Sequence, residues 1–101
     1  MFTALDRPTT INPTAEEAYW RSIFKDQPYY VRGLEYQDYS PAYRVGYTGP
    51  LRRGGNYPSV EAALREDWNR VKDRSRLTWE QARPALRAAW ERVSERSGVS
   101  A

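Results

Sequence analysis

Seven of the eight tyrosines in this 101-residue chain fall between residues 28 and 58. Five glycines and four prolines fall in the same stretch: Pro28, Gly33, Pro41, Gly46, Gly49, Pro50, Gly54, Gly55 and Pro58. Glycine and proline punctuate regular structure, so their density here predicts neither a long helix nor a long strand. Ser40-Pro41 reads as a helix start, with Ser40 as N-cap and Pro41 in the first turn. One short helix over about 41–48 is expected, with Tyr43 and Tyr47 four apart on one face. Tyr36 and Tyr39 suit a preceding turn. Residues 29–35 alternate too briefly to decide for or against a strand. Arg52-Arg53-Gly54-Gly55-Asn56 reads as a loop.

On either side the signals are helical. Thr14-Ala15-Glu16-Glu17 fits a capping box, and Tyr19, Trp20, Ile23 and Phe24 then cover one side of a helix over 14–26. Glu16 falls within that apolar arc. In a first turn its charge suits the helix dipole, so a solvated cap role is expected. Ser59 after Pro58 opens a helix over 59–74. Val60, Leu64, Trp68 and Val71 form its stripe, and Glu66 precedes Arg70 by the favourable four residues. Thr78-Trp79-Glu80-Gln81 is a second capping box, with Leu77 placed to staple onto Ala82. Ala82, Leu86, Ala89, Trp90 and Val93 continue the helix to about 96. Pro84 lies inside it and predicts a kink or loosened first turns without a break, because the stripe stays in phase.

The expected fold is therefore a small all-α domain of three or four helices over 13–96. A Tyr/Gly/Pro-rich irregular segment wraps across a core of Trp20, Ile23, Phe24, Leu64, Trp68, Leu86 and Trp90. Residues 1–12 read as a flexible arm and 97–101 as a disordered tail.

Composition narrows function mainly by exclusion. There is no cysteine and no histidine, which removes disulfides, thiolate nucleophiles, Ser-His-Asp triads and zinc sites built on those residues. The remaining carboxylates sit at helix starts or beside opposite charges. Glu35 and Asp38, next to tyrosines, are the two whose environment is worth checking for a shifted pKa. No catalytic residue, metal ligand or cofactor is assigned, and the chain reads as a non-enzyme. No apolar run approaches the ~20 residues of a membrane span, and no signal-peptide pattern opens the chain. A cytoplasmic protein is expected, without a membrane role.

Of 16 basic residues only Lys25 and Lys72 are lysine, which leaves 14 arginines for a formal charge of +3. Arginine beside tyrosine supports two expectations. The first is a protein-binding face made of Tyr39, Tyr43, Arg44, Tyr47, Arg52 and Arg53, since both residue types are enriched at binding hot spots. The second is a nucleic-acid surface using Arg44, Arg52, Arg53, Arg70, Arg74 and Arg76. Arg52-Arg53 on the Gly-Gly loop shows no packing duty in sequence.

The run Tyr36-Gln37-Asp38-Tyr39-Ser40-Pro41-Ala42-Tyr43-Arg44-Val45-Gly46-Tyr47 resembles the tyrosine-rich segment of a family of small uncharacterised bacterial proteins. Thr78-Trp79-Glu80-Gln81-Ala82-Arg83 and the residues to Trp90 resemble that family's closing helix, and Tyr19-Trp20-Arg21 also fits. The resemblance covers most of residues 16–93. It implies a small helix-rich bacterial domain and transfers no activity.

Overall fold

Asn12-Pro13 starts the first helix. The computed structural model describes residues 11–97, and in it the Asn12 side chain accepts from the Ala15 N–H at 3.0 Å, ahead of α1 (Pro13–Ile23). The capping box expected at Thr14 is not the cap, because proline in the first helical position places the cap one residue before itself. Glu16 is in the first turn of α1, but it lies on the apolar face and is wholly buried, so the solvated cap role expected for it does not hold. A 3-10 turn, Phe24–Asp26, ends the segment, and turns carry the chain through residues 27–35 with no strand.

The tyrosine-rich stretch holds the largest departure from expectation. It forms a 17-residue helix, α2 (Tyr36–Arg52), with Pro41 and Pro50 inside it. Ser40 and Pro41 do not start a helix, because Asp38 has already closed the N-terminus by accepting from the Glu35 N–H at 2.9 Å. Magnitudes explain why proline loses. An interior proline costs about 3 kcal/mol, whereas each fully buried large side chain returns about 1.5–3 kcal/mol. Tyr36, Tyr39, Tyr43 and Tyr47 recur at three, four and four and are all buried. Arg52 is the last residue of this helix and Arg53 its C-cap, so the loop begins only at Gly54 and Gly55, both at positive φ.

Gly46 and Gly49 have a packing purpose. A Cβ on Gly46 would lie 2.2 Å from the Leu86 carbonyl oxygen, and one on Gly49 would lie 2.6 Å from the Trp90 ring. Glycine is what lets α2 press against α4 (Trp79–Ser97), whose Ala82, Ala85 and Ala89 are fully buried. This pair makes the most extensive helix contact in the molecule.

α3 (Tyr57–Val71) is capped by Asn56, which accepts from the Ser59 N–H at 3.1 Å, so the cap lies three residues before Ser59. Leu64 and Trp68 are buried as expected, but Val71 at the end of the stripe is 45% exposed. The capping box at α4 is present: Thr78 Oγ1 accepts from the Gln81 N–H, and the Gln81 side chain accepts from the Thr78 N–H. The α4 stripe is buried and the helix passes through Pro84 unbroken. The protein is thus an all-α domain whose core includes six of the seven residues anticipated, with Ile23 packed at its edge. The arm and tail expected over 1–12 and 97–101 lie outside the described residues, apart from Ile11, the cap Asn12 and the helix-ending Ser97.

Candidate functional site: a cationic groove beside the tyrosine core

Four tyrosines on one helical stripe need partners for their hydroxyls, and the turns before α2 supply those of Tyr39 and Tyr43, while Tyr36 donates to the Glu17 carbonyl of α1 at 3.4 Å. Tyr39 Oη accepts from the Val31 N–H at 2.9 Å, and Tyr29 and Tyr43 share a hydroxyl–hydroxyl bond of 2.7 Å. Tyr30 donates to the Leu34 carbonyl at 3.0 Å. The rings pack as well: Trp20 stacks on Tyr43 at 4.6 Å, and Phe24 meets Tyr36 edge-on at 5.4 Å. Burial pushes the Tyr29 phenol up to about 12, and it raises Tyr36, Tyr39, Tyr43 and Tyr47 too.

Tyr39, Tyr43 and Tyr47 are therefore interior, each at most 3% exposed, and they do not form the binding face anticipated for them. Of that set only Arg44, Arg52 and Arg53 reach the surface. The reason is geometric. Stripe residues of a central helix turn inward, and a short isolated helix would have left them outside.

The arginines are placed by a second pattern that sequence reading missed. Among the described residues three carboxylates are buried, and each faces an arginine distant in sequence. Glu16 meets Arg92 at 3.1 Å, Asp38 meets Arg76 at 2.8 Å, and Asp67 meets Arg53 at 2.8 Å. Asp67 also pairs with Arg70, in place of the Glu66 partner expected for that arginine. A buried charge is tolerated only when paired and hydrogen-bonded, and arginine's planar fork matches a carboxylate bidentately. Asp38 accepts from Nε and Nη2 of Arg76, from the Arg76 backbone N–H and from the Glu35 N–H. The bond from Arg76 and these amides hold its carboxyl at about 2, well below the usual range. Burial alone would raise Asp67, but the bond and charge of Arg53 overcome it and the carboxyl is lowered. Arg53 thus has a packing duty, contrary to expectation.

The six arginines of the anticipated nucleic-acid surface divide accordingly. Arg53, Arg70 and Arg76 clamp buried acids, and Arg44 lies 3.5 Å from Glu17. Arg52 and Arg74 make no ion pair among the described residues. The six are not gathered on one face: Arg44 and Arg74 line a shared groove, whereas Arg52 and Arg53 lie at the far end of α2.

That groove is a broad concavity. It is open, about 860 Å³, and forms where the end of α1, the first half of α2 and the α3–α4 connection meet. Arg21, Arg44, Lys72 and Arg74 line it, against the two carboxylates Glu35 and Asp73. Arg21 lies 4.7 Å from the centre of the Tyr36 ring, and Lys72 lies 5.4 Å from that of Trp68. Cation–π contacts of this kind hold the charged heads over core rings while leaving donors facing outward. Asp73 sits at φ 45°, a left-handed position that closes α3. Val71 adds apolar surface at the rim.

Among the described residues no group of three or more histidine, cysteine or acidic side chains is arranged to hold a metal ion. No described helix is long and apolar enough to cross a membrane. Comparison with protein-family models, with curated proteins and with solved structures returns no match.

Proposed function

We propose that this chain is a non-enzymatic interaction domain of the bacterial cytoplasm that engages a protein partner through the groove between α1, α2 and the α3–α4 connection. Membership of the tyrosine-rich bacterial family is part of the same proposal. The observation that carries it is the contrast in how the cations are used. Arg53, Arg70, Arg76 and Arg92 clamp buried carboxylates, whereas Arg21, Lys72 and Arg74 gather around one open concavity without an ion pair among the described residues. The binding face of the original expectation moves accordingly, keeping Arg44 and losing the tyrosines to the core. A nucleic-acid role has less to rest on, because four of its six arginines already hold carboxylates and the set is divided between two ends of α2.

The test is site-specific photo-crosslinking in the native host. A crosslinking side chain at Gln37, exposed in the groove, is compared with one at Ala62, exposed on α3 outside it. A discrete protein adduct from position 37 that is missing from position 62 supports the proposal. Equal labelling from both positions, or adducts with nucleic acid alone, overturns it.

A further inference from the structure

We propose that the groove's occupant is an acidic, extended peptide segment, with its carboxylates held by Arg21, Lys72 and Arg74. This rests on the reading of the groove as a protein-binding face and adds the chemistry of the partner.

Charge complementarity is the first argument. Four cations from three separate elements face two carboxylates across one concavity, so the lining has a positive surplus in a chain of formal charge only +3. Such a surplus, partly shielded from water by the groove walls, attracts a negative partner and speeds its encounter.

The mixed lining chooses among negative partners. A nucleic-acid backbone carries charge at every step, and somewhere along this groove it would face Glu35 or Asp73. A peptide alternating acidic with neutral residues can set carboxylates on the cations and small residues past the acids. The lining also suits a peptide in its uncharged parts. Gln37 offers an amide donor and acceptor to a peptide backbone, and Val71, 45% exposed, offers an apolar contact.

Preorganisation is the third argument. Arg21 is held against the Tyr36 ring and Lys72 against Trp68, so each loses less side-chain freedom on binding than an unrestrained surface cation. The backbone at Lys72 is fixed too. Its N–H donates to the Trp68 carbonyl at 2.8 Å, and its carbonyl accepts from the Ser75 N–H at 2.7 Å.

The experiment is fluorescence anisotropy with a labelled twelve-residue peptide alternating glutamate and glycine. The comparators are a lysine–glycine peptide and a single-stranded oligonucleotide of matched charge. The glutamate peptide should bind, more weakly as salt rises, and more tightly than either comparator. Lys72→Gln with Arg74→Gln should weaken it about tenfold, as two rim charge pairs would. Arg52→Gln, which removes a charge outside the groove, should change little. Asp73→Asn keeps a residue tolerated at positive φ and removes a repelling carboxylate, so it should tighten binding. This gain does not depend on a damaged fold. The inference fails if the glutamate peptide does not bind, if the oligonucleotide of matched charge binds tighter, if Arg52→Gln matches the double variant, or if Asp73→Asn weakens binding. A protein adduct from position 37 together with no glutamate-peptide binding would leave the groove as an interaction face and discard only the acidic partner.

Discussion

A single carboxylate shows how the molecule uses its charge. Asp38 is 1% exposed, accepts four hydrogen bonds and ties α2 to the connection before α4. Its folded pKa of about 2 lies below the ordinary 3.8, so its contribution is complete above about pH 5 and is lost as pH falls through 2. The shift corresponds to about 1–2 kcal/mol once the half-exposed Arg76 is discounted for screening by water. Wild type should therefore lose that much more stability than Asp38→Asn between pH 5 and pH 2, measured by urea unfolding at each pH. Parallel losses in the two proteins would show that Asp38 is not clamped. Arg52 and Arg53 make a second residue-scale comparison. Adjacent and identical in type, they differ in that Arg53 alone holds the buried Asp67. Arg53→Ala should lower the melting temperature, whereas Arg52→Ala should melt with the wild type. The carboxylate clamps were hidden in the sequence because their partners lie up to 76 residues apart. Nothing in local spacing pairs Glu16 with Arg92. The one local hint was that Glu16 falls within the apolar arc of α1, beside Trp20.

At the scale of elements, the outer helices were legible and the middle one was not. The Leu64–Trp68 and Ala82–Val93 stripes are periodic, and the Thr78 cap has local chemistry, so α3 and α4 could be read from neighbouring residues. In α2 local propensity and tertiary packing conflict. Pro41, Gly46, Gly49 and Pro50 all disfavour helix, yet the buried tyrosine stripe and the close approach of α4 outweigh them. The tyrosine spacing of three, four and four was visible, but its weight depended on a partner helix that the sequence does not display. Gly46 tests this directly. In a solvent-exposed helix, glycine to alanine gains roughly 1 kcal/mol. At position 46 the added methyl meets backbone at 2.2 Å, so Gly46→Ala should instead destabilise, by about 1–3 kcal/mol as overpacking does. A variant more stable than wild type in thermal melts would mean that α2 and α4 do not pack as closely as described.

For the whole molecule, aromatic and basic richness are two parts of one arrangement. The tyrosines fill an interior that a 101-residue chain would otherwise struggle to build, and the arginines neutralise the acids buried with them. Four other cations, Arg21, Arg44, Lys72 and Arg74, meet at the groove from separate parts of the chain, and the candidate site was illegible in sequence for that reason. It is assembled from Arg21, Arg44 and residues 72–74, whereas the sequence drew the eye to the tyrosines beside it. Everything about where a partner can dock follows from the tyrosines being inside, and alkaline titration followed at 295 nm tests that most directly. Six of the eight phenols are held above their ordinary 10, Tyr29 at about 12, with burial the leading cause in each. A phenol raised in the folded state stabilises the fold below pH 10 and loses that contribution as pH climbs through its folded value. The expected result is that most of the tyrosinate absorbance appears only together with cooperative loss of the helical circular dichroism, well above pH 10. Reversible ionisation of all eight tyrosines near pH 10 with the helical signal intact would contradict it.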